Sequence, residues 1–591
     1  MLESVPVHPT GASFARAIRV YDPRARAGLR RVADSVHAGG ATVVGQLWHC
    51  GRQGSSAITG MPLWAPSATP CPVSREIPRA MTLDEIRELV EAFAAAAHEF
   101  QAAGFDGVEL AAGHGYLVHQ FLSPLSNLRT DAYGGTPEAR ARFCEEVLDE
   151  IRSSCGRDLV LGVRLSADEF LSGGFGLGDC LPLVRRLARR GDVDYLSISG
   201  GTHASVEQMV GDWSVPRGNL VPLAHAVRRE AGGVPVLACG RIVDPDQAEE
   251  ILRAGEADLI GMARALIADP RWAEKAARDR PLSIRPCIAC NECEARIFQG
   301  LPIACAVQPV LAADGDALRR ARRARKVIVV GGGPAGMEAA RVAALRGHRV
   351  VLYEREVSLG GQLRLLRALR TREEFDRIVA FLERELVRLG VEVRLGHDAD
   401  ADAVTHARAD AIVVATGSVS DVPHLGSAER PRVVVPEGLA TGTAESLGSR
   451  VVVWDGGGSH DRLLAVAEAM LADGREVYVV TPAPALGADV SFISLAGILR
   501  RLRAGRARLL TLTDVRRVTN GCLELQECPD GPVSVLQGVD ALVIVTRTCP
   551  QTTLLDELDG NTPHLLAAGD CVVPRGLHDA FREGRAAGLA V

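Results

Sequence analysis

From residue 1 to about 280, short β-branched runs alternate with longer Ala-, Leu- and Arg-rich stretches of helical period, and this alternation limits the fold more than any other feature. Six runs read as strands: 42–47 (TVVGQL), 107–110 (GVEL), 159–165 (LVLGVRL), 194–199 (DYLSIS), 234–239 (VPVLAC) and 257–262 (ADLIGM). The spacing predicts a helix over 82–103, with Thr82 as N-cap and Asp84 and Glu85 in its first turn. Repetition of this kind implies parallel strands joined by crossover helices, so the first half is α/β, either a barrel or an open doubly wound sheet. A closed TIM-type barrel has eight strands at roughly thirty residues per strand-helix unit. Six strands therefore predict a barrel that lacks its first two units.

The remaining length calls for further domains, because 591 residues exceed what one hydrophobic core organises. The chain reads as four segments: a barrel over 1–282, a cysteine segment and linker over 283–325, a Rossmann-like domain over 326–445 completed by 555–591, and a second Rossmann-like domain over 446–554. No window of 18 apolar residues occurs and the start, MLESVPVHPTGASFARAIRV, lacks the apolar core of a secretory signal, so a cytoplasmic protein with no membrane partner is expected. A net charge of -6 from 67 basic and 73 acidic residues argues against nucleic acid, and the basic run RRARRARK at 319–326 reads as a solvated linker.

In barrels the chemistry sits at the C-terminal strand ends. Here those ends are polar: QLWHCGR from Gln46, His114 to Tyr116 in AAGHGYL, Arg164 in GVRLS, His203 in GGTHAS, Gly240-Arg241 and Ala263-Arg264. The last two pairs suit a phosphate, where backbone N–H groups and guanidinium forks converge. Each residue alone is as easily structural; six at matching positions point to a site.

Four of the fourteen cysteines, Cys287, Cys290, Cys293 and Cys305, are clustered as CxxCxxC followed by eleven residues and a fourth Cys. Three crowded thiolates and a distant fourth suit a four-iron, four-sulfur (4Fe-4S) cube better than zinc, which usually pairs two CxxC knuckles. With no export signal, a disulfide framework is not expected, and most of the other ten read as small core residues.

Lys326 opens KVIVVGGGPAGMEAARVAALRGHRVVLYE, in which Gly331, Gly333 and Gly336 form GxGxxG between a strand and a helix and Glu354 ends the next strand, placed for ribose hydroxyls. A second start, VVVWDGGGSHDRLLAVAEAM, has Gly456, Gly457 and Gly458 but Asp461 at the third fingerprint position. A carboxylate there would meet pyrophosphate with the wrong sign, which leaves NAD(P)H binding at this domain open.

QLWHCGR, GYLVHQFLSPLSNLRTDAYGG, GVRLS and LIGMARALIADP together resemble the old yellow enzyme superfamily, in particular its long members similar to 2,4-dienoyl-CoA reductase and trimethylamine dehydrogenase. The resemblance spans nearly the whole chain. It implies FMN on the barrel, with Gln46 at the flavin pyrimidine edge, Arg164 and Arg241 near the flavin and its phosphate, and Ala263 and Arg264 on that phosphate. It places Tyr116 on the proton-donor tyrosine, His203 on the histidine that assists it, and the cysteine segment on an electron-relaying cluster. His114 could bond a substrate oxygen, whereas Ala111 stands where the family often has a second donor. GGQL at 360–363 with Gln362, ATG at 415–417 and AAGDC with Asp570 resemble flavoprotein disulfide reductases, implying FAD or, as in trimethylamine dehydrogenase relatives, ADP.

The expected activity is NAD(P)H-driven reduction of a conjugated C=C bond in a small molecule, by way of FAD, cluster and FMN. The alternatives are an amine-type dehydrogenase passing electrons to a carrier protein, and a degenerate electron-transfer scaffold. Oligomeric state is left open.

Overall fold

The computed structural model describes residues 1–311, 318–425, 430–440, 447–560 and 564–591, and the domain boundary expected at 445/446 lies outside the described residues. Two compact units emerge, Met1–Gly211 with Val215–Met262 and Ile297–Leu301, and Asp212–Ser214 with Ala263–Arg296 and Pro302–Val591.

The first unit is built on a seven-stranded parallel sheet in sequential order: β1 (Ser4–Pro6), β2 (Val44–Trp48), β3 (Gly107–Ala112), β4 (Val160–Ser166), β5 (Tyr195–Ser199), β6 (Val236–Ala238) and β7 (Leu259–Ile260). Six match the strands read from sequence. The seventh, β1, is one more than that reading found, because three residues ending in proline offer no hydrophobic period to detect. The sheet is therefore one strand short of eight among the described residues. The helix Leu83–Ala102 begins at the expected cap, where the Thr82 hydroxyl accepts from the Glu85 amide at 3.3 Å and the Glu85 carboxylate accepts from the Thr82 amide at 2.8 Å.

Register decides which side chains face inward. Residues two apart on a strand point the same way, and Gln46 pairs with Glu109, Ala111 with Arg164, and Arg164 with Ser197.

The second unit holds two parallel sheets. One runs Glu392–Leu395, Arg349–Glu354, Lys326–Val330, Ala411–Val414, Leu565–Ala567, so the end of the chain supplies its last strand. The final helix, Leu577–Ala590, packs against the helix Pro334–Leu345 at close range: a Cβ on Gly584 would sit 2.2 Å from the Ala335 carbonyl oxygen and one on Gly588 2.6 Å from that of Ala339. The other sheet runs Arg432–Val434, Ala541–Thr546, Arg450–Gly456, Glu476–Val480, Arg508–Leu510. No helix among the described residues is long and apolar enough to cross a membrane.

Candidate active site

The inward row of the first sheet is polar, with Glu109 and Ser197 buried and Gln46 and Arg164 half-buried, and its members bond one another. Gln46 Nε2 donates to Glu109 Oε1 at 2.6 Å and its amide oxygen accepts from the Ser4 hydroxyl. Arg164 Nη1 donates to Ser197 Oγ at 2.8 Å and Nη2 to Cys239 Sγ at 3.4 Å. Burial opposes the charge on Arg164, yet the facing Cys239 and Glu109 outweigh it and hold the guanidinium above its ordinary range. One carboxylate oxygen of the fully buried Glu109 has no hydrogen-bond partner.

Above this row the loop after β3 carries His114, Gly115 and Tyr116. His114 adopts φ 59°, and its amide donates to Ser166 Oγ at 2.7 Å. Its Nε2 meets Ser199 Oγ at 2.5 Å, so a serine hydroxyl from β5 stands beside the imidazole. Tyr116 caps the short helix Leu117–Leu122, with its ring centroid 6.1 Å from that of His114 and 6.0 Å from that of His203. The three expected catalytic residues are thus brought together. Burial, reinforced by Arg164, pushes the His114 imidazole well below its ordinary range. Burial, reinforced by Arg52, lowers His203 to about 4. Both are neutral near pH 7, and the buried His203 Nε2 has no hydrogen-bond partner.

Sequence reasoning missed Gln53. Its Nε2 donates to the His114 carbonyl at 2.8 Å while its Oε1 accepts from the His203 amide at 3.2 Å, tying the two histidine loops together. No local signal could reveal this, since the partners lie 61 and 150 residues away. The histidine of QLWHCGR is structural: His49 Nδ1 accepts from the Gly51 amide at 3.0 Å and Nε2 meets Thr10 Oγ1 at 2.9 Å.

Arg241 follows β6 with φ 50° and its guanidinium donates to the Val215 carbonyl. Ala263 and Arg264 belong to the second unit, where Arg264 begins the short helix Arg264–Ala268 and bonds Asn291 Oδ1 at 2.5 Å.

The cysteine loop of that unit turns through left-handed residues at Ala289 (φ 52°) and Asn291 (φ 58°), and the Ala289 amide donates to Cys287 Sγ at 3.4 Å. None of the four cysteines is disulfide-bonded. Burial, then the Glu294 carboxylate and the neighbouring thiolates, push Cys293 up to about 12; burial and the Cys287 thiolate push Cys305 to about 11, and burial with the other three thiolates raises Cys290. Among the described residues no three His, Cys, Asp or Glu side chains converge as a set for a single metal ion.

The first glycine turn is shaped for a phosphate. Gly331 has φ 108°, and a Cβ there would meet the Ala415 carbonyl oxygen at 2.2 Å; a Cβ on Gly336 would meet the Gly331 oxygen at 1.9 Å. Gly333 caps the helix Pro334–Leu345, leaving its N-terminal amides at the turn. Glu354 Oε2 accepts from the Gly332 amide at 2.6 Å. Gln362 Nε2 donates to Asp570 Oδ2 at 3.1 Å, so the two residues expected to share the flavin do meet.

The second turn differs. Asp461 does not face the turn as expected but pairs with the buried Arg372 at 3.1 Å, because Arg372 needs carboxylates there and also takes Glu468 at 2.9 Å. Other groups occupy the phosphate position. Asp455 Oδ1 accepts from the Gly457 amide at 3.0 Å, and Asp489 Oδ2 accepts from the His460 amide at 3.1 Å at the helix start. His460 Nδ1 accepts from the Gly487 amide at 2.9 Å, so its Nε2 carries the proton that it shares with Asp455 Oδ2 at 2.9 Å.

A parallel sheet with a tyrosine between two neutral imidazoles at its C-terminal ends, carried in one chain with a phosphate-shaped GxGxxG fold, defines a flavin-dependent oxidoreductase. Residues 1–283 match the NADH:flavin oxidoreductase / NADH oxidase family and 325–459 match pyridine nucleotide-disulphide oxidoreductase. The chain belongs to the NADH:flavin oxidoreductase / NADH oxidase family. It is 33% identical over 593 residues to a metal reductase of Desulforamulus reducens, covering 95% of this chain and 88% of that one. It is similar in structure to 2-naphthoyl-CoA reductase in complex with 2-naphthoyl-CoA (TM-score 0.94, 27% identity, 100% of this chain and 91% of that chain). Histamine dehydrogenase from Rhizobium sp. 4-9 is also similar (TM-score 0.90, 26% identity, 99% and 89%).

Two outcomes follow from this geometry. Adding NADH or NADPH to the holoenzyme is expected to leave amide hydrogen exchange at Gly457, Gly458 and His460 unchanged, since those three donors already have acceptors; nucleotide-dependent slowing there contradicts it. The depressed His203 resists protonation when folded, so its contribution to stability is whole above pH 6.5 and is lost as pH falls toward about 4, amounting to about 3 kcal/mol. Unfolding measured between pH 4 and 7 is expected to lose one proton's worth of slope in His203→Gln; an unaltered slope refutes the assignment.

Proposed function

We propose that this chain reduces a conjugated C=C bond of a small molecule with electrons from NAD(P)H. The observation that carries the reading is Tyr116 standing between His114 and His203, both held neutral by burial, with Arg164 and Arg52 as the charges acting on them. Neutral imidazoles can offer N–H donors to a carbonyl oxygen, and nearby guanidinium charge favours the negative charge that develops on it. The Tyr116 phenol supplies a proton to the carbon opposite the one that takes hydride. Ser199 beside His114 offers a second hydroxyl where Ala111 removes the family's other donor. An alkylammonium substrate would meet the same positive charges, which counts against the amine-dehydrogenase reading.

The inward row and the Arg241 turn suit FMN on the barrel, with Ala263 and Arg264 assigned to its phosphate. Gly331, Gly333, Gly336, Glu354, Gln362 and Asp570 suit FAD, with ADP as the smaller fit. Bound flavin supplies the hydride and accepts electrons from the nucleotide. Cys287, Cys290, Cys293 and Cys305 suit a 4Fe-4S cube, whose ligands bind four separate irons and need not converge on one ion, and whose positive charge offsets the repulsion among buried thiolates. We infer a cytoplasmic location because none of the fourteen cysteines is disulfide-bonded, and a small-molecule substrate as the partner.

Tyr116→Phe is expected to slow anaerobic reoxidation of the reduced enzyme by an enone about 10²- to 10⁴-fold. Flavin bleaching by NAD(P)H should persist; wild-type reoxidation rates in the variant would remove the tyrosine from the chemistry. Purified protein is expected to hold about four irons with equal acid-labile sulfide per chain, and iron without sulfide would rule the cube out.

A further inference from the structure

Five rings of the first unit form a closed circuit. Phe14 lies nearly parallel to Trp48 (centroids 6.0 Å, 14°) and Trp48 meets Tyr116 edge-on (5.2 Å, 89°). Tyr116 meets His203 edge-on (6.0 Å, 81°), His203 meets Phe298 (6.1 Å, 72°), and Phe298 returns to Phe14 (5.5 Å, 69°). Trp48 and His203 are buried, whereas Phe14, Tyr116 and Phe298 are only half-buried, so the accessible part of the circuit is aromatic and includes the tyrosine assigned to proton transfer. Phe298 bridges Phe14 and His203 and ends the helix Glu292–Phe298, which also carries Cys293. The segment Ile297–Leu301, which includes Phe298, belongs to the first unit.

Ring walls recognise two kinds of ligand. Planar π-systems pair with them edge-to-face or offset, and cations are drawn to their faces. Arg52, whose charge lowers His203, and Arg164, whose charge lowers His114, oppose a cation here. One guanidinium nitrogen of Arg52, Nε, is buried without a hydrogen-bond partner, so this charge is not spent on a carboxylate of the protein at that atom. Charge and shape thus converge on a flat, neutral or anionic conjugated ligand.

We propose that Phe298 determines substrate specificity, making the site selective for aryl-substituted conjugated carbonyl compounds over aliphatic ones of the same reactive group. This deepens the reductase reading and rests on it. The aryl ring packs against the accessible edges of Phe14 and Phe298, which are themselves in contact, and this leaves the alkene beside Tyr116 and the carbonyl oxygen toward His114 and His203. An aliphatic enone makes the same polar contacts and forgoes the ring contact.

The test is a ratio. In the holoenzyme with NADH or NADPH, kcat/KM for trans-cinnamaldehyde divided by that for 2-cyclohexen-1-one is measured in wild type, Phe298→Leu and Phe298→Trp. Leucine keeps apolar volume and removes the ring, and the ratio is expected to fall about threefold to tenfold, the worth of one aromatic pair; tryptophan is expected to restore it. A ratio unchanged in Phe298→Leu, or recovered by no aromatic residue, overturns the assignment of Phe298 while the reductase reading stands. If the wild type reduces neither alkene, the reductase reading itself fails and takes the inference with it.

Discussion

The first unit depends on a row of polar side chains that its parallel strands turn inward. Gln46, Glu109, Arg164 and Ser197 share that side of the sheet, and a buried charge or amide is tolerated only when bonded. Each therefore takes a partner on a neighbouring strand: Gln46 with Glu109, and Arg164 with Ser197. A polar interior of this kind costs stability that an apolar core would not. What it supplies is a fixed floor of donors and positive charge beneath the loop that carries His114 and Tyr116.

The two glycine turns of the second unit show how the same motif diverges. At the first, glycines are required by contact, since any Cβ on Gly331 or Gly336 would strike a backbone oxygen, and the helix amides stay available. Next to it a buried network holds the packing: Arg285 lies between Glu338 and the rings of Phe381 and Phe581, and Glu338 also pairs with Arg341 at 2.8 Å. Opposing arginines keep the Glu338 carboxyl below its usual range in spite of complete burial. At the second turn the amides are consumed by Asp455 and Asp489, so the fold is retained while its anion site is closed from within.

How much was legible can be judged residue by residue. Alternation of β-branched and helical runs located six of seven strands, and the N-cap at Thr82 was visible because its partners are three residues away. Strand ends, where barrel chemistry sits, exposed Tyr116, His114 and His203 as a group. Asp461 was read as obstructing a phosphate because its position in the motif is local information. Its real partner, Arg372, lies 89 residues away and could not be anticipated.

By itself, the order of residues determined the parallel strand-helix architecture, the glycine positions and the spacing of the four cysteines, all consequences of short-range periodicity and steric limits. Tertiary structure decided protonation and pairing: that two imidazoles are neutral, that Gln53 ties their loops, that Phe298 closes a circuit of rings, and that two carboxylates fill a glycine turn. These rest on burial and on contacts between residues tens to hundreds of positions apart, and such energies exist only once the chain has brought those groups within bonding distance and removed the water between them.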